Sequence, residues 1–291
     1  MNILITGVNG LVGKAIAEEL FNGNRIIGIS RSPDNKTTLP IEYQSINISS
    51  INSLKTLSNK HIDIIVHCAA SLDLNPLSEE LITTNCMGIR NIALLALTSK
   101  CKQFIYISGI PIIGKPIQLP ISEGHPVHPE IVYHSTKYFG ELYLSNVLKE
   151  LNLVIFRLPS PIGVDIDEKK IVSTIVRKCI INEDITLKGN GGRIQNYIDV
   201  KDVANAVNLA IKENISGTYN IASDRSYSNQ ELAEIAIKLL KSNSKIRYEE
   251  IDKQEDNKWI ISIEKAKNDF NYVPRISLET SLLEISKRYI L

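Results

Sequence analysis

The chain has 291 residues, a formal net charge of +1 and a hydrophobic fraction of 43%. This length allows one large domain or two small ones with a substantial core, whereas the balanced charge argues against nucleic acid or an acidic membrane as a partner. No apolar run approaches the roughly 20 residues of a membrane span, and the N-terminus resembles a strand rather than a signal peptide. The four scattered cysteines lack metal-ligand spacing. We therefore expect a cytoplasmic protein without a bound metal.

The N-terminal stretch combines a short apolar run, a glycine-rich turn and an amphipathic helix. Residues 2–6 suit a buried parallel strand, and residues 11–22 have apolar positions at a helical period. Gly7, Gly10 and Gly13 lie between them, where they would permit a tight turn, a close ligand and close helix packing. The free N–H groups at the start of the helix suit a pyrophosphate. This strand–turn–helix context predicts a dinucleotide-binding site.

Strands and helices alternate through the first half of the chain. The predicted strands are 2–6, 25–29, 41–46, 62–68, 103–108 and 153–158, and the predicted helices are 11–22, 50–58, 77–100 and 133–151. This pattern predicts an α/β fold, a Rossmann-like doubly wound parallel sheet whose ligands bind at the carboxyl ends of the strands. We expect residues 1–158, with 197–222 returning, to form a dinucleotide-binding domain, and 159–196 with 223–291 to form a smaller C-terminal substrate-binding lobe.

The end of the second predicted strand bears on cofactor choice. Folds that bind NAD usually carry an acid there, which accepts the ribose hydroxyls. Here the chain has Ser30-Arg31-Ser32, and no acid occurs before Asp34. Arg31 could meet a 2′-phosphate through its charge and bidentate fork, or it could be a solvated surface cation. We favour NADP, with NAD as the alternative.

Tyr133 and Lys137 open the predicted helix after the fifth strand. Residues four apart share a helix face, so the two side chains point together. A phenol with an unperturbed pKa of about 10 is a poor acid at neutral pH, and a neighbouring ammonium would lower that pKa. The same spacing recurs in Tyr197 and Lys201, but there it crosses a strand–helix boundary. We therefore predict that Tyr133 and Lys137 are catalytic.

These motifs resemble the extended short-chain dehydrogenase/reductase family of nucleotide-sugar epimerases, dehydratases and reductases. The resemblance rests on Gly-x-x-Gly-x-x-Gly after Thr6, on the Tyr133–Lys137 pair, and on residues 189–204. The last stretch is similar to the family's Gly-Asp-Gly-x-Gln-x-Arg-Asp-Phe-Ile-His-Val-x-Asp-Val-Ala. The resemblance implies a nucleotide-sugar substrate and a homodimer formed through a bundle that includes the helix of the catalytic tyrosine.

The motifs and the resemblance together give the predicted site residues. The predicted cofactor-binding residues are Gly7, Asn9, Gly10, Leu11, Val12, Arg31, Asn47, Ile48, Ala69, Ala70, Asn85, Ile107, Tyr133, Lys137 and Pro159. The predicted substrate-binding residues are Ser71, Ser108, Gly109, Ser160, Arg193 and Gln195, and the predicted catalytic residues are Tyr133, Lys137 and Ser108.

Two positions depart from the family pattern. The hydroxyl residue that usually bonds the substrate oxygen stands five before a glycine, and counting back from Gly114 gives Gly109. Ser108 could substitute only if the chain turns there, because strand neighbours point to opposite faces, so we favour a water. The family's diphosphate-binding arginine falls on Gln195; Arg193, two residues earlier, points the same way and could replace it, or could be a surface cation.

The primary functional hypothesis is reduction of a nucleotide-linked 4-keto sugar by NADPH. The first alternative is a nucleotide-sugar 4-epimerase that keeps NAD bound. A dehydratase is disfavoured, because those enzymes carry an acid pair where this chain has Ile110-Pro111. A third alternative is a dinucleotide-sensing protein without turnover, which the departures at Gly109 and Gln195 favour and the Tyr133–Lys137 pair opposes.

Overall fold

The computed structural model describes residues 1–249, 251–254 and 256–290, which alternate between strands and helices. The strands are β1 (Asn2–Thr6), β2 (Arg25–Ser30), β3 (Glu42–Ser45), β4 (Ile64–His67), β5 (Gln103–Gly109), β6 (Asn152–Leu158), β7 (Ser160–Ile162), β8 (Ile185–Lys188), β9 (Ile194–Asp199), β10 (Gly217–Asn220), β11 (Ser226–Ser228) and β12 (Ile246–Glu249). The α-helices are α1 (Leu11–Leu20), α2 (Ile51–Leu54), α3 (Glu79–Ile82), α4 (Gly88–Ser99), α5 (Val132–Val147), α6 (Ile171–Ile180), α7 (Val200–Lys212), α8 (Asn229–Leu239), α9 (Glu264–Phe270) and α10 (Leu278–Ser286).

The main sheet has seven strands in the order β10-β6-β5-β4-β1-β2-β3. Every neighbouring pair is parallel, and β1 and β4 in its middle are almost entirely buried. Helices cover both faces, which is why these strands are continuous apolar runs. The predicted Rossmann-like α/β fold is therefore confirmed. The strand order reverses between β1 and β4, so the switch point at which such sheets bind ligands lies there.

Alternate residues of the central strands point into two different cores. On one face, Ile3 and Ile5 of β1 join the core that contains the apolar sides of α1 and α7. On the other face, Leu4 joins the core in which Tyr106 of β5 meets Leu144 of α5. The helix that carries Tyr133 and Lys137 thus packs on the Tyr106 side of the sheet.

Helix boundaries differ from the prediction where the hydrogen-bond pattern changes. The predicted helix 77–100 begins at Glu79 behind the Ser78 cap, and Thr83–Met87 inside it is a π-helical turn. The predicted helix 50–58 is α2 followed by the 3-10 turn Lys55–Leu57. Apolar periodicity locates a buried helical face but does not distinguish these tighter and wider turns.

The helical segment Glu79–Ser99 is 21 residues long and, by length and composition alone, could cross a membrane. A helix was predicted over 77–100, but no apolar run of membrane-span length was expected from the sequence. However, 56% of its most apolar window is buried inside the fold. Burial of this kind is typical of a core helix in a soluble protein, so the segment is weak evidence for a membrane span.

A smaller lobe contains the sheet β11-β9-β7 and the pair β12-β8. Helices α6, α8 and α10 enclose its core. Between β9 and β11 the chain returns to the main sheet, where α7 packs against α1 and β10 pairs with β6. Residues 197–199 pair with β7 in the small sheet. The division into a dinucleotide-binding domain and a substrate-binding lobe stays a prediction.

Candidate active site

The glycine loop packs too tightly for side chains at two of its positions. Gly7 has φ +69, and a Cβ there would lie 2.8 Å from the backbone of Ala69. A Cβ on Gly13 would collide with the carbonyl of Gly7. The tight turn and the close helix packing expected from the sequence are both present.

The start of α1 is open to an anion. Gly10 is the N-cap and provides no side-chain cap, and no acidic residue lies in the first turn. The N–H groups of Leu11 and Val12 belong to that turn, where N–H groups have no partner inside the helix. Oriented N–H groups and the helix dipole favour negative charge. These features fit the pyrophosphate of a dinucleotide.

Asn9 fixes the loop after β2, on the adenosine side of such a site. Its amide donates to Ser30 Oγ at 3.0 Å and to the carbonyl of Asp34 at 2.8 Å, and its Oδ1 accepts from the N–H of Lys36 at 2.9 Å. The Tyr43 hydroxyl lies 2.7 Å from Ser30 Oγ. The Asn9 side chain is therefore committed to the loop.

Arg31 is paired within the protein. Its guanidinium donates to the carboxylate of Glu80 in α3, and both side chains are about half exposed, at 51% and 53%. The sequence interpretation treated Arg31 as available to a 2′-phosphate. In the structure such a phosphate would compete with Glu80, a contact across 49 residues that local sequence does not show.

The predicted residues beside the adenine are Asn47 and Ile48. Asn47 is exposed, and its Oδ1 accepts from the N–H and hydroxyl of Ser49 at 3.0 and 2.8 Å. Ile48 is buried against α4, where a Cβ on Gly88 would lie 2.7 Å from its Cδ1. Only the backbone of Ile48 is therefore available to a ligand.

Asn85 joins the end of β4 to α5. It accepts from the N–H of Ser71 at 2.8 Å and donates to the carbonyl of Ser71 at 3.1 Å and to Thr136 Oγ1 at 3.0 Å. Ala69 and Ala70 lie in the short segment between β4 and Ser71. The π-helical turn that carries Asn85 thus holds the segment beside the predicted catalytic helix, as π turns often do at functional sites.

Tyr133 lies in the first turn of α5 with a hydroxyl that has no hydrogen-bond partner in the described part of the chain. Burial raises the pKa of Tyr133 to about 12. One turn later, Lys137 is buried, its Nζ donates to the carbonyl of Ile107 at 2.5 Å, and burial lowers the pKa of Lys137 to about 8. The sequence analysis expected Lys137 to lower the pKa of Tyr133; here desolvation has the larger effect.

The Ser108 hydroxyl is occupied by a contact within the protein. Its hydroxyl donates to Oε1 of Glu141 at 2.6 Å, beside the buried ion pair in which Nη2 of Arg157 lies 2.7 Å from Glu141 Oε2. We therefore withdraw Ser108 as a catalytic and substrate-binding residue. Gly109 has extended backbone, with φ −137, and a Cβ there would meet nothing closer than 3.5 Å. The backbone at this position therefore does not require a glycine and could accept a residue with a hydroxyl.

The substrate side of the site holds unpartnered buried donors. Pro159 links β6 to β7, and Ser160 of β7 is the register partner of Tyr197 in β9. Nε of Arg193 and the hydroxyl of Tyr197 are buried and without a hydrogen-bond partner in the described residues. Gln195, between them, makes one long contact of 3.4 Å to Asn229.

Buried donors of this kind usually have a partner, which a water or a ligand would supply; His134 Nδ1 and Asn205 Nδ2 are likewise unpartnered among the described residues. The sequence analysis identified Arg193 but missed Tyr197, although strand alternation from Arg193 places both on one face.

A family model, the NAD dependent epimerase/dehydratase family, matches residues 3–222. The chain belongs to this family. The family and enzyme class predicted from the motifs are thereby confirmed.

Relatives of the chain differ in their reactions. It is 29% identical to a UDP-N-acetyl-alpha-D-glucosaminuronate decarboxylase of Bacillus cytotoxicus, over 97% of this chain and 95% of the relative. It is 25% identical to a dTDP-4-dehydro-6-deoxyglucose reductase of Escherichia coli, over 98% and 96%. The structure also superposes on a Thermus thermophilus UDP-glucose 4-epimerase in complex with NAD, with a TM-score of 0.88, 17% identity and 99% of both chains covered; this likeness concerns the fold alone.

The Ser108 contact gives a prediction that separates a structural from a catalytic role. Replacing Ser108 by Ala should reduce the free energy of unfolding by about 1–3 kcal/mol, because a buried carboxylate loses a donor, and should change kcat by less than about threefold. Urea unfolding and steady-state kinetics measure the two effects, with the exposed Ser58→Ala as the control. A stable Ser108→Ala protein with a large loss of kcat would restore the catalytic interpretation.

Proposed function

We propose that the protein reduces a 4-keto group of a nucleotide-linked sugar, with Tyr133 as the general acid. The observation that carries the proposal is the unpartnered hydroxyl of Tyr133 at the start of α5, one turn before Lys137. The raised pKa of about 12 keeps this phenol protonated at neutral pH. A reduction needs the protonated form, whereas an oxidation must begin from the phenolate.

The residues of the chain divide the reaction between them. The glycine loop and the first turn of α1 would hold the pyrophosphate of the dinucleotide, which when bound would supply the hydride that C4 gains. The Tyr133 hydroxyl gives its proton to O4, so the carbonyl becomes a hydroxyl. The Lys137 ammonium favours the phenolate that remains. Asn85 keeps α5 and the segment ending at Ser71 in register.

The diphosphate of the substrate would occupy the unpartnered donors in the smaller lobe. Arg193 offers charge and a planar fork, and Tyr197 offers a neutral hydroxyl on the same face of β9. Both donors are buried in the free protein, so binding a diphosphate removes little further hydration from them. The names of the related decarboxylase and reductase contain nucleotide-linked sugars, which supports this class of substrate.

A 4-epimerase is the second candidate, and the Arg31–Glu80 pair favours it. An epimerase keeps one NAD bound through many turnovers, and Arg31 already paired with Glu80 offers less to a 2′-phosphate. Incubating the protein with UDP-glucose and with a 4-keto nucleotide sugar plus NADPH separates the two reactions. Consumption of NADPH with the keto sugar supports the reductase. Formation of UDP-galactose without net NADPH consumption supports the epimerase.

Three further expectations stay predictions. A homodimer would use the exposed apolar side chains of α4 and α5, among them Leu94, Leu97, Phe139 and Leu142. The expectation of a cytoplasmic location rests on the scattered cysteines and on the strand-like N-terminal sequence. A dinucleotide sensor without turnover predicts that neither reaction occurs while the dinucleotide still binds.

The acid role of Tyr133 gives a direct kinetic prediction. Tyr133→Phe keeps the ring and removes the proton donor, so turnover should fall by at least about 100-fold while dinucleotide affinity stays near that of the wild type. Tyr143→Phe, later on the same helix, is the control and should be mild. Unchanged turnover in Tyr133→Phe on the true substrate would refute the assignment.

The diphosphate proposal predicts opposite effects on stability and binding. Tyr197→Phe removes a buried, unpartnered hydroxyl, so the free energy of unfolding should rise by about 1 kcal/mol, whereas the affinity for UDP should fall about 5- to 10-fold. Arg193→Gln should weaken UDP by a larger factor, and the exposed Arg247→Ala should not. Urea unfolding and calorimetric titration with UDP test this. Equal UDP affinity in all four proteins would contradict the proposal.

The NADP preference can be tested through both partners of the ion pair. We expect NADPH to bind more tightly than NADH, Arg31→Ala to weaken NADPH by about 1.5–3 kcal/mol, and NADH to change little. Glu80→Gln should strengthen NADPH, because it removes the carboxylate that competes for Arg31. Fluorescence titration with each nucleotide gives these affinities, and identical curves for both in the wild type would exclude the preference.

A further inference from the structure

A row of side chains crosses three neighbouring strands, at the carboxyl ends of β1 and β4 and in the middle of β5. Thr6, His67 and Tyr106 are register partners on β1, β4 and β5. Thr6 Oγ1 lies 2.8 Å from Nδ1 of His67 and accepts the N–H of Ala69 at 3.1 Å. The His67 ring stacks on the Tyr106 ring, with centroids 5.8 Å apart and planes at 22°. The row therefore connects the strand that precedes the glycine loop to Tyr106.

The Tyr106 ring lies against the ammonium of Lys137. The distance from Nζ to the ring centroid is 4.5 Å, and the Tyr106 hydroxyl donates to the backbone carbonyl of Lys137 at 3.3 Å. Gly140 makes room for this arrangement, because a Cβ there would lie 2.7 Å from Tyr106 Cζ. The ring is 2% exposed. The small residue Gly140 in α5 thus lets the Tyr106 ring of β5 pack close to the helix beside Lys137.

The Lys137 ammonium has few other partners. Among the described residues, its one hydrogen bond goes to the carbonyl of Ile107, and it forms no ion pair. Glu141, on the same face of α5, is engaged by Arg157. A buried cation without an anion is unfavourable, and the face of an aromatic ring attracts it.

We infer that Tyr106 is a positioning residue for the proposed reduction: its ring, anchored through His67 and Thr6, holds the Lys137 ammonium charged and in place. The catalytic consequence rests on the proposed function, whereas the contact itself does not.

Several titratable groups face Lys137. His67 approaches from the end of β4 and Cys68 from the residue after it, Tyr106 from β5 and Glu141 from α5. Burial lowers the pKa of His67 to about 3 and raises the pKa of Cys68 to about 12, so both are neutral between these limits. Burial lowers the pKa of Lys137 to about 8, so Lys137 titrates closer to neutral pH than His67 or Cys68.

The test compares Tyr106→Leu, Tyr106→Phe and Phe104→Leu. Phe104→Leu removes a buried ring from the same face of β5. The Phe104 ring neighbours His67, but it is Tyr106 that lies against Lys137. Lysine side chains carrying 13C at Cε report the titration of Lys137 by NMR without any substrate, and the Lys137→Met protein assigns the signal. Urea unfolding measures the stability of each variant.

We expect Tyr106→Leu to lower the pKa of Lys137 by about half a unit or more, and to reduce kcat by about tenfold or more with a much smaller change in KM. Tyr106→Phe should restore both, and Phe104→Leu should lose stability with an unchanged Lys137 titration. The inference is overturned if Tyr106→Leu and Phe104→Leu give the same Lys137 titration, or if Tyr106→Phe behaves like Tyr106→Leu. A normal NMR result in a protein without turnover would instead count against the proposed function alone.

Discussion

The buried ion pair between Glu141 and Arg157 holds the predicted catalytic helix to the sheet. Arg157 of β6 donates three hydrogen bonds to the Glu141 carboxylate and a fourth, through Nη1, to the carbonyl of Glu123 at 3.1 Å. The Glu123 carboxylate in turn accepts from the N–H of Asn220 in β10. Ser108 completes the set of donors to Glu141. Loss of one partner of such a pair typically costs about 3–5 kcal/mol, because the other charge stays buried. The position of α5, and with it that of Tyr133 and Lys137, depends on this pair.

The same burial that fixes α5 also determines the protonation of its reactive groups. Desolvation raises the pKa of Tyr133 and lowers that of Lys137, which brings the two toward neutral forms. The carbonyl of Ile107 and the ring of Tyr106 oppose this effect at Lys137 by favouring its ammonium. In the free protein, burial therefore favours the protonated phenol of Tyr133, whereas these two contacts partly stabilise the ammonium of Lys137.

The fold followed from the sequence because its signals are local. Apolar runs of strand length and a glycine turn before an amphipathic helix define β1 and α1 without reference to the rest of the chain. Strand alternation does not reveal that the Ser108 hydroxyl is bonded to Glu141 of α5, because that contact depends on how the helix packs on the sheet. The contacts that sequence reasoning missed join distant elements: Arg31 with Glu80, and Lys137 with Tyr106. Such pairs depend on register and helix rotation, which no single segment encodes.

The two departures from the family pattern lie on the substrate side, and they bear on whether the protein turns over a substrate. The resemblance implies a hydroxyl residue where this chain has Gly109 and an arginine where it has Gln195; both changes would be neutral in a protein that only senses a dinucleotide. Within the part of the chain that the structure describes, however, Arg193 Nε and the Tyr197 hydroxyl are buried without a hydrogen-bond partner, which costs stability and is not explained by a sensor role. A ligand in the smaller lobe offsets that cost, and a dinucleotide bound at the glycine loop would leave those donors unpaired. The unpaired donors therefore favour a second ligand, and an enzyme over a sensor.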